Sequence, residues 1–252
     1  MSDTPSTLGI VVTAEQIPLL RDIIVAYNLH VYISDTQDTV LLDGQWKPWI
    51  RRVRPQRTHC TGEVWLLAPC YSWPDQQSHP RIRTIIAEQL QSCIQMAVML
   101  GATGLVLPIE HAQSAFIERL TYYLNLIDDQ LKAHNLALML AIPASAMLQD
   151  VAMLCTHLLT QHSLLLDSTH TYHELDHISE CTYVGQIACE DDETTLPSWT
   201  HHVIIGANEH VSQIRQKVQW VHEQRAQQLH SDTDEQMSAE PSSLDSADDE
   251  IA

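Results

Sequence analysis

The chain has 252 residues, enough for one large single-core domain or two small ones, and a formal charge of −19. Its longest apolar run lies near 136–144, short of the roughly 18 residues a membrane span needs, and the opening MSDTPSTLG is neither basic nor apolar; a cytoplasmic protein with no membrane partner is expected. The charge excludes a surface that coats nucleic acid broadly: eight acids and no Lys or Arg lie from Ser231 onward, and without them the net charge is still about −11.

Taken in order, 8–13 (LGIVVT) reads as a first strand and 15–27 as a helix, with Ile17, Leu20 and Ile24 at helical spacing. A second strand is expected over 29–34. The segment 35–62 shows no long apolar stripe and reads as a long functional loop with room for one short helix. It holds a basic island: between Gly44 and Gly62 stand Lys47, Arg51, Arg52, Arg54 and Arg57 and no acid, with Trp46 and Trp49 interleaved. A third strand over 63–68 (EVWLLA) runs into Pro69, Cys70, Tyr71, Ser72, Trp73 and Pro74. The stretch 80–100 predicts a long amphipathic helix, with Ile82, Ile85, Ile86, Leu90, Cys93, Met96 and Ala97 along one side and Gly101 closing it.

Further strands are expected over 104–108, 136–142, 164–167, 182–188 and 202–205, and helices over 112–134, 146–160, 172–180 and 209–228, with an acidic loop over 190–199. The residues from 230 to 252, rich in Ser, Asp and Glu, predict a disordered acidic tail beyond a domain of 1–229. Eight strands alternating with helices predict a closed (β/α)8 barrel. The competing open doubly wound sheet usually has a Gly-rich first turn, and LGIVVTAEQ has none. The six cysteines contain no C-x-x-C pair and mostly sit in apolar segments, as reduced core thiols do.

One stretch points to chemistry. In SLLLDSTHTY a buried strand runs into Asp167, and His170 follows three positions on, at the strand end where barrel enzymes keep their reactive groups. A carboxylate and an imidazole facing one pocket make half of a divalent-metal site. Alternatively, Asp167 caps the next helix and His170 is a solvated turn residue.

The order of these segments resembles the endonuclease IV-type apurinic/apyrimidinic endonucleases, within the xylose isomerase-like barrels. The resemblance covers most of 8–224 and rests on LGIVVTA, Gln45-Trp46, LLAPCYSWPDQQSHP with the helix ending in Leu100-Gly101-Ala102, LLLDSTHTY and HVIIGANEH. It implies a cluster of three metals, usually zinc, held by nine ligands at the strand ends and activating water to cleave beside an abasic site. Carried over one by one, few ligands are found. Cys70, Leu107, Ala141, Ala188, Trp199 and Gly206 stand where ligands are expected, while Asp167, His170 and His201 match. The resemblance thus implies a reduced zinc site from Asp167, His170 and His201, or His202 in place of His201, and little or no nuclease activity. It also implies contact with abasic or damaged duplex DNA through Trp73, placed for insertion into the duplex, and through Lys47, Arg51, Arg52 and Arg54. The opposing reading has Trp46 and Trp49 packing the barrel mouth while the arginines pair with the chain's own acids.

Two other functions fit the sequence. One is a working enzyme, either a reduced-metal phosphodiesterase or a sugar isomerase or epimerase of the wider superfamily. The other is a non-catalytic scaffold whose acidic tail binds a basic protein partner.

Overall fold

The apolar runs fold as parallel strands, and they close on themselves. The structure is a computed structural model, and it describes residues 7–34, 46–69, 79–109, 114–142, 163–167, 183–187, 202–205 and 210–238. Among these residues the strands are β1 (Thr7–Val12), β2 (His30–Ile33), β3 (Val64–Leu67), β4 (Gly104–Pro108), β5 (Ala137–Ala141), β6 (Ser163–Asp167), β7 (Tyr183–Ile187) and β8 (His202–Ile205). Each pairs in parallel with the next, and β8 returns to β1 with Thr7 opposite His202 and Ile10 opposite Ile205, which completes the expected barrel.

A strand in such a barrel is buried on both faces, so its sequence reads as an unbroken apolar run. Leu8, Ile10, Val12, Val31, Ile33, Leu66, Leu105, Leu107, Leu138 and Leu140 join the core shared with the outer helices. The alternate positions Val11, Tyr32, Trp65, Val106 and Met139 form a second cluster that fills the lumen. The Tyr32 and Trp65 rings stack there, 6.0 Å apart and 12° from parallel. Two glycines make room for them: a Cβ on Gly9 would come within 2.5 Å of the Tyr32 ring, and one on Gly104 within 2.4 Å of the Trp65 ring.

The helices begin and end where local chemistry allows. α1 (Arg21–Ala26) is shorter than the expected 15–27 because Pro18 opens a 3-10 turn, Pro18–Leu20, ahead of it. Proline has no N–H to donate, and the α-helix cannot run through it toward Glu15. α3 (Pro80–Leu100) has the expected bounds: Pro80 takes the first position, His79 Nδ1 accepts from the Arg81 N–H at 3.2 Å, and Gly101 closes the helix at φ 70°. α4 (Ser114–Ala133) is followed by Asn135 in the same left-handed region.

The short helix for which 35–62 has room is α2 (Trp46–Val53), followed by a 3-10 turn, Arg54–His59. Its apolar stripe is Trp46, Trp49, Ile50 and Val53, all buried, and it is only four residues long, with Pro48 and Pro55 interrupting the pattern a longer helix would show. The last helix, α5 (Val211–Ser238), continues ten residues past the expected end at Gln228 and takes in the start of the acidic segment. Ile214, Val218 and Val221 already anchor it in the core, and once a helix is nucleated each further turn costs little. The helices expected over 146–160 and 172–180, the loop over 190–199 and the tail beyond Ser238 lie outside the described residues. Of the cysteines described, Cys60 and Cys93 are buried thiols, and burial pushes the Cys60 thiol up to about 11.

Candidate functional site

The short helix α2 presents two faces of opposite character. Its four buried residues recur at helical spacing and place both indoles in the core between the sheet and α3. Lys47, Arg51, Arg52 and Arg54 are all exposed. Lys47, Arg51 and Arg54 follow one another at intervals of four and three along one flank. Arg52 stands on the other flank, in a cleft of about 190 Å³ that it lines with Ala14, Glu15, Pro18, Trp49, Val53 and Gln56. The Lys47 ammonium lies 5.3 Å from the centre of the Trp46 ring. Arg57 serves the fold instead, donating from Nη1 to the Cys60 carbonyl at 2.9 Å.

Among the described residues, Lys47, Arg51, Arg52 and Arg54 form no ion pair, although the chain carries 32 Asp and Glu. α3 packs against α2 and carries Arg81 and Arg83 in its own first turn.

The mouth of the barrel is less rich. Register puts Asp167 at the end of β6, since Ala141 pairs with Leu165 and Asp167 with Gln186. His170, His201 and Trp73 lie outside the described residues, so the expected convergence of Asp167, His170 and His201 has only its first member in the structure. The inward ends of β3, β4 and β5 are Leu67, Pro108 and Ala141, none of which ligates a metal. Leu107, which stands at a ligand position of the resemblance, is fully buried in the outer core, because strand alternation turns Pro108, its neighbour, inward. Among the described residues no three His, Cys, Asp or Glu side chains converge on a point where a metal would sit.

No family model and no curated protein matches the sequence. Solved structures do resemble it. The 3-keto-D-glucoside 4-epimerase YcjR of E. coli is 12% identical, with 88% of this chain and 99% of that one covered, at a TM-score of 0.59. A D-psicose 3-epimerase from Clostridium cellulolyticum is 11% identical, with 79% and 83% covered, at 0.51. The TTHB071 protein from Thermus thermophilus is 17% identical, with 64% and 66% covered, at 0.46. The fold these epimerases share with the chain is the closed (β/α)8 barrel. The likeness is one of architecture, and among the described residues no helix of this chain is long and apolar enough to cross a membrane.

Barrels of this architecture carry their chemistry at the carboxyl ends of the strands, which is where Asp167 lies. A second pair of titratable groups, His30 with Glu63, is at the opposite end. Nδ1 of His30 lies 3.3 Å from Oε2 of Glu63, which also accepts from Trp65 Nε1 at 3.1 Å. That pair closes the floor of the lumen.

Proposed function

We propose that this barrel associates with nucleic acid, gripping the phosphodiester backbone through Lys47, Arg51, Arg52 and Arg54, as a relative of the endonuclease IV-type enzymes with little or no nuclease activity. The observation that carries the reading is the exposed cationic face of α2, free of ion pairs among the described residues in a strongly acidic chain. Phosphate contacts fix a protein on a duplex without reading sequence, and long flexible cations, three along one flank of α2 and Arg52 on the other, suit that task. Leu67, Pro108 and Ala141 at inward strand ends support the loss of a trinuclear metal centre. Abasic or damaged duplex is the preferred partner in this reading, with Trp73 inserted at the lesion and any zinc confined to Asp167, His170 and His201.

The test is binding of a labelled duplex with one abasic site in about 50 mM salt. Wild type binds, and Arg51→Glu with Arg54→Glu weakens it at least tenfold. Absence of wild-type binding at low salt sinks the reading; efficient cleavage of the abasic strand sinks its nuclease-poor part.

A second reading is a sugar epimerase, favoured by the coverage of nearly all of the E. coli 4-epimerase. A stoichiometric divalent ion in protein purified without chelator, together with solvent deuterium appearing in a ketose product, selects it over the first.

A further inference from the structure

The floor of the lumen is built from residue types that a barrel interior seldom holds. Layers of four side chains from alternate strands fill such a barrel, and branched aliphatics dominate them. Higher in this lumen Val11, Val106 and Met139 pack around Tyr32 and Trp65. At the floor His30, buried at the start of β2, lies instead against the Glu63 carboxylate. Placing such a pair there costs desolvation that two aliphatic side chains would not.

Strand register brings a second histidine to the same layer. His202 opens β8 and pairs with Val184, which pairs with Leu165, which pairs with Ala141, a residue of the lumen. Register partners in parallel strands share a face, so His202 stands at an inward position. Its height follows from β1, the strand between the two histidines: His202 pairs with Thr7, and His30 with Gly9, two residues further on. A circuit of the pairings in chain order comes back to β1 eight residues earlier, the shear of this fold, so equal height gains one residue per strand. From β8 to β2 is two strands, and the two histidines are level. The same count puts Gly104 and Ser163 in their layer, both small, with the Trp65 ring in the space a Gly104 side chain would take. Two level positions across one strand are roughly 10 Å apart at Cα. That span is within reach of two histidines ligating one ion through nitrogens about 2 Å from it.

The His30–Glu63 contact has a matching dimension. Two ligands about 2.1 Å from a tetrahedral ion stand about 3.4 Å apart, and His30 Nδ1 and Glu63 Oε2 stand 3.3 Å apart. Trp65 Nε1 donates to the same Oε2 at 3.1 Å and orients the carboxylate, as the outer partners of metal ligands do. Burial holds the His30 imidazole below its ordinary pKa, in the neutral form that a metal binds. Glu63 is 43% exposed, which gives an ion and water a way in from the end where the strands begin.

We propose that His30, Glu63 and His202 bind one divalent transition-metal ion of the zinc class at the floor of the lumen, with water as the fourth ligand. The ion is structural, tying β8 to β2 and β3 across β1. The site is separate from the mouth: Asp167 ends β6 four residues beyond Ser163, roughly 13 Å along the strand. His202, the sequence alternative to His201 at the mouth, is thus a residue of the opposite end. The inference goes beyond the nucleic-acid reading and does not depend on it.

The test uses the full-length chain, stripped with a chelator, titrated with zinc chloride and unfolded by heat. One equivalent of zinc raises Tm by about 5 °C or more. Glu63→Gln and His202→Gln, both close to isosteric in reach, each abolish the rise, whereas Asp167→Asn keeps it. Cobalt(II) in place of zinc gives the wild type the intense visible absorption of a tetrahedral ion, and Glu63→Gln removes it. Absence of a rise in the wild type overturns the proposal, as does a rise that survives Glu63→Gln or His202→Gln. Loss of the rise in Asp167→Asn also overturns it, by placing the ion at the mouth. Failure of the wild type to bind abasic duplex removes the nucleic-acid reading and leaves each of these outcomes as it stands.

Discussion

At the scale of single residues, the lumen shows how closely the interior is fitted. Tyr32 and Trp65 occupy space that only Gly9 and Gly104 leave open, and the Tyr32 hydroxyl has no hydrogen-bond partner among the described residues. Burial, with the Glu63 charge adding to it, raises the pKa of that phenol and keeps it neutral. His30, 8% exposed, is held below its ordinary 6.5 by burial, with Glu63 pulling the other way. The folded chain therefore binds fewer protons at this site than the unfolded chain as pH falls through 6.5. Stability is complete above that value and declines below it, by at most about 1.4 kcal/mol per pH unit. Urea unfolding should show a lower midpoint at about pH 5 than at about pH 7, and His30→Gln should reduce that difference. None of these partnerships is visible in sequence, because each joins neighbouring strands tens of residues apart.

At the scale of elements, α2 separates stability from binding on two faces of one helix. Trp49 is 4% exposed, so Trp49→Ala should cost about 3–5 kcal/mol in denaturant unfolding. Arg51→Glu on the exposed flank should change stability by no more than about 0.5 kcal/mol while weakening duplex binding. A variant that lost both together would place Arg51 in the fold and not in the interface. The strands and the long helix α3 were legible because their cues are local: apolar runs of fixed length, Pro80 at the start and Gly101 at the end. α2 was legible only as room for one short helix, since four apolar positions among prolines and cations do not fix its bounds. The extension of α5 to Ser238 was missed for a related reason: an acidic, polar sequence has no apolar stripe, and its helicity is inherited from the packed turns before it.

For the whole molecule, an acidic protein with one cationic face makes a distinctive prediction about salt. Four cations neutralising four phosphates give a slope of about −3.6 in log affinity against log salt, and each charge removed lowers it by about one. A slope near zero in fluorescence titrations would contradict a backbone grip. The sequence by itself determined that the chain alternates strands with helices, in the number a barrel needs, and concentrates its cations between Gly44 and Gly62, because periodicity, turn residues and charge are properties of neighbours along the chain. The tertiary structure alone decided that the sheet closes, which alternate residues fill the lumen, that Pro108 and Ala141 face inward at strand ends while Leu107 faces outward, and that Trp46 and Trp49 are buried while Lys47, Arg51, Arg52 and Arg54 are exposed. Those outcomes depend on register between strands and on packing between helices, where one residue of slip reverses every side chain, and no local pattern carries that information.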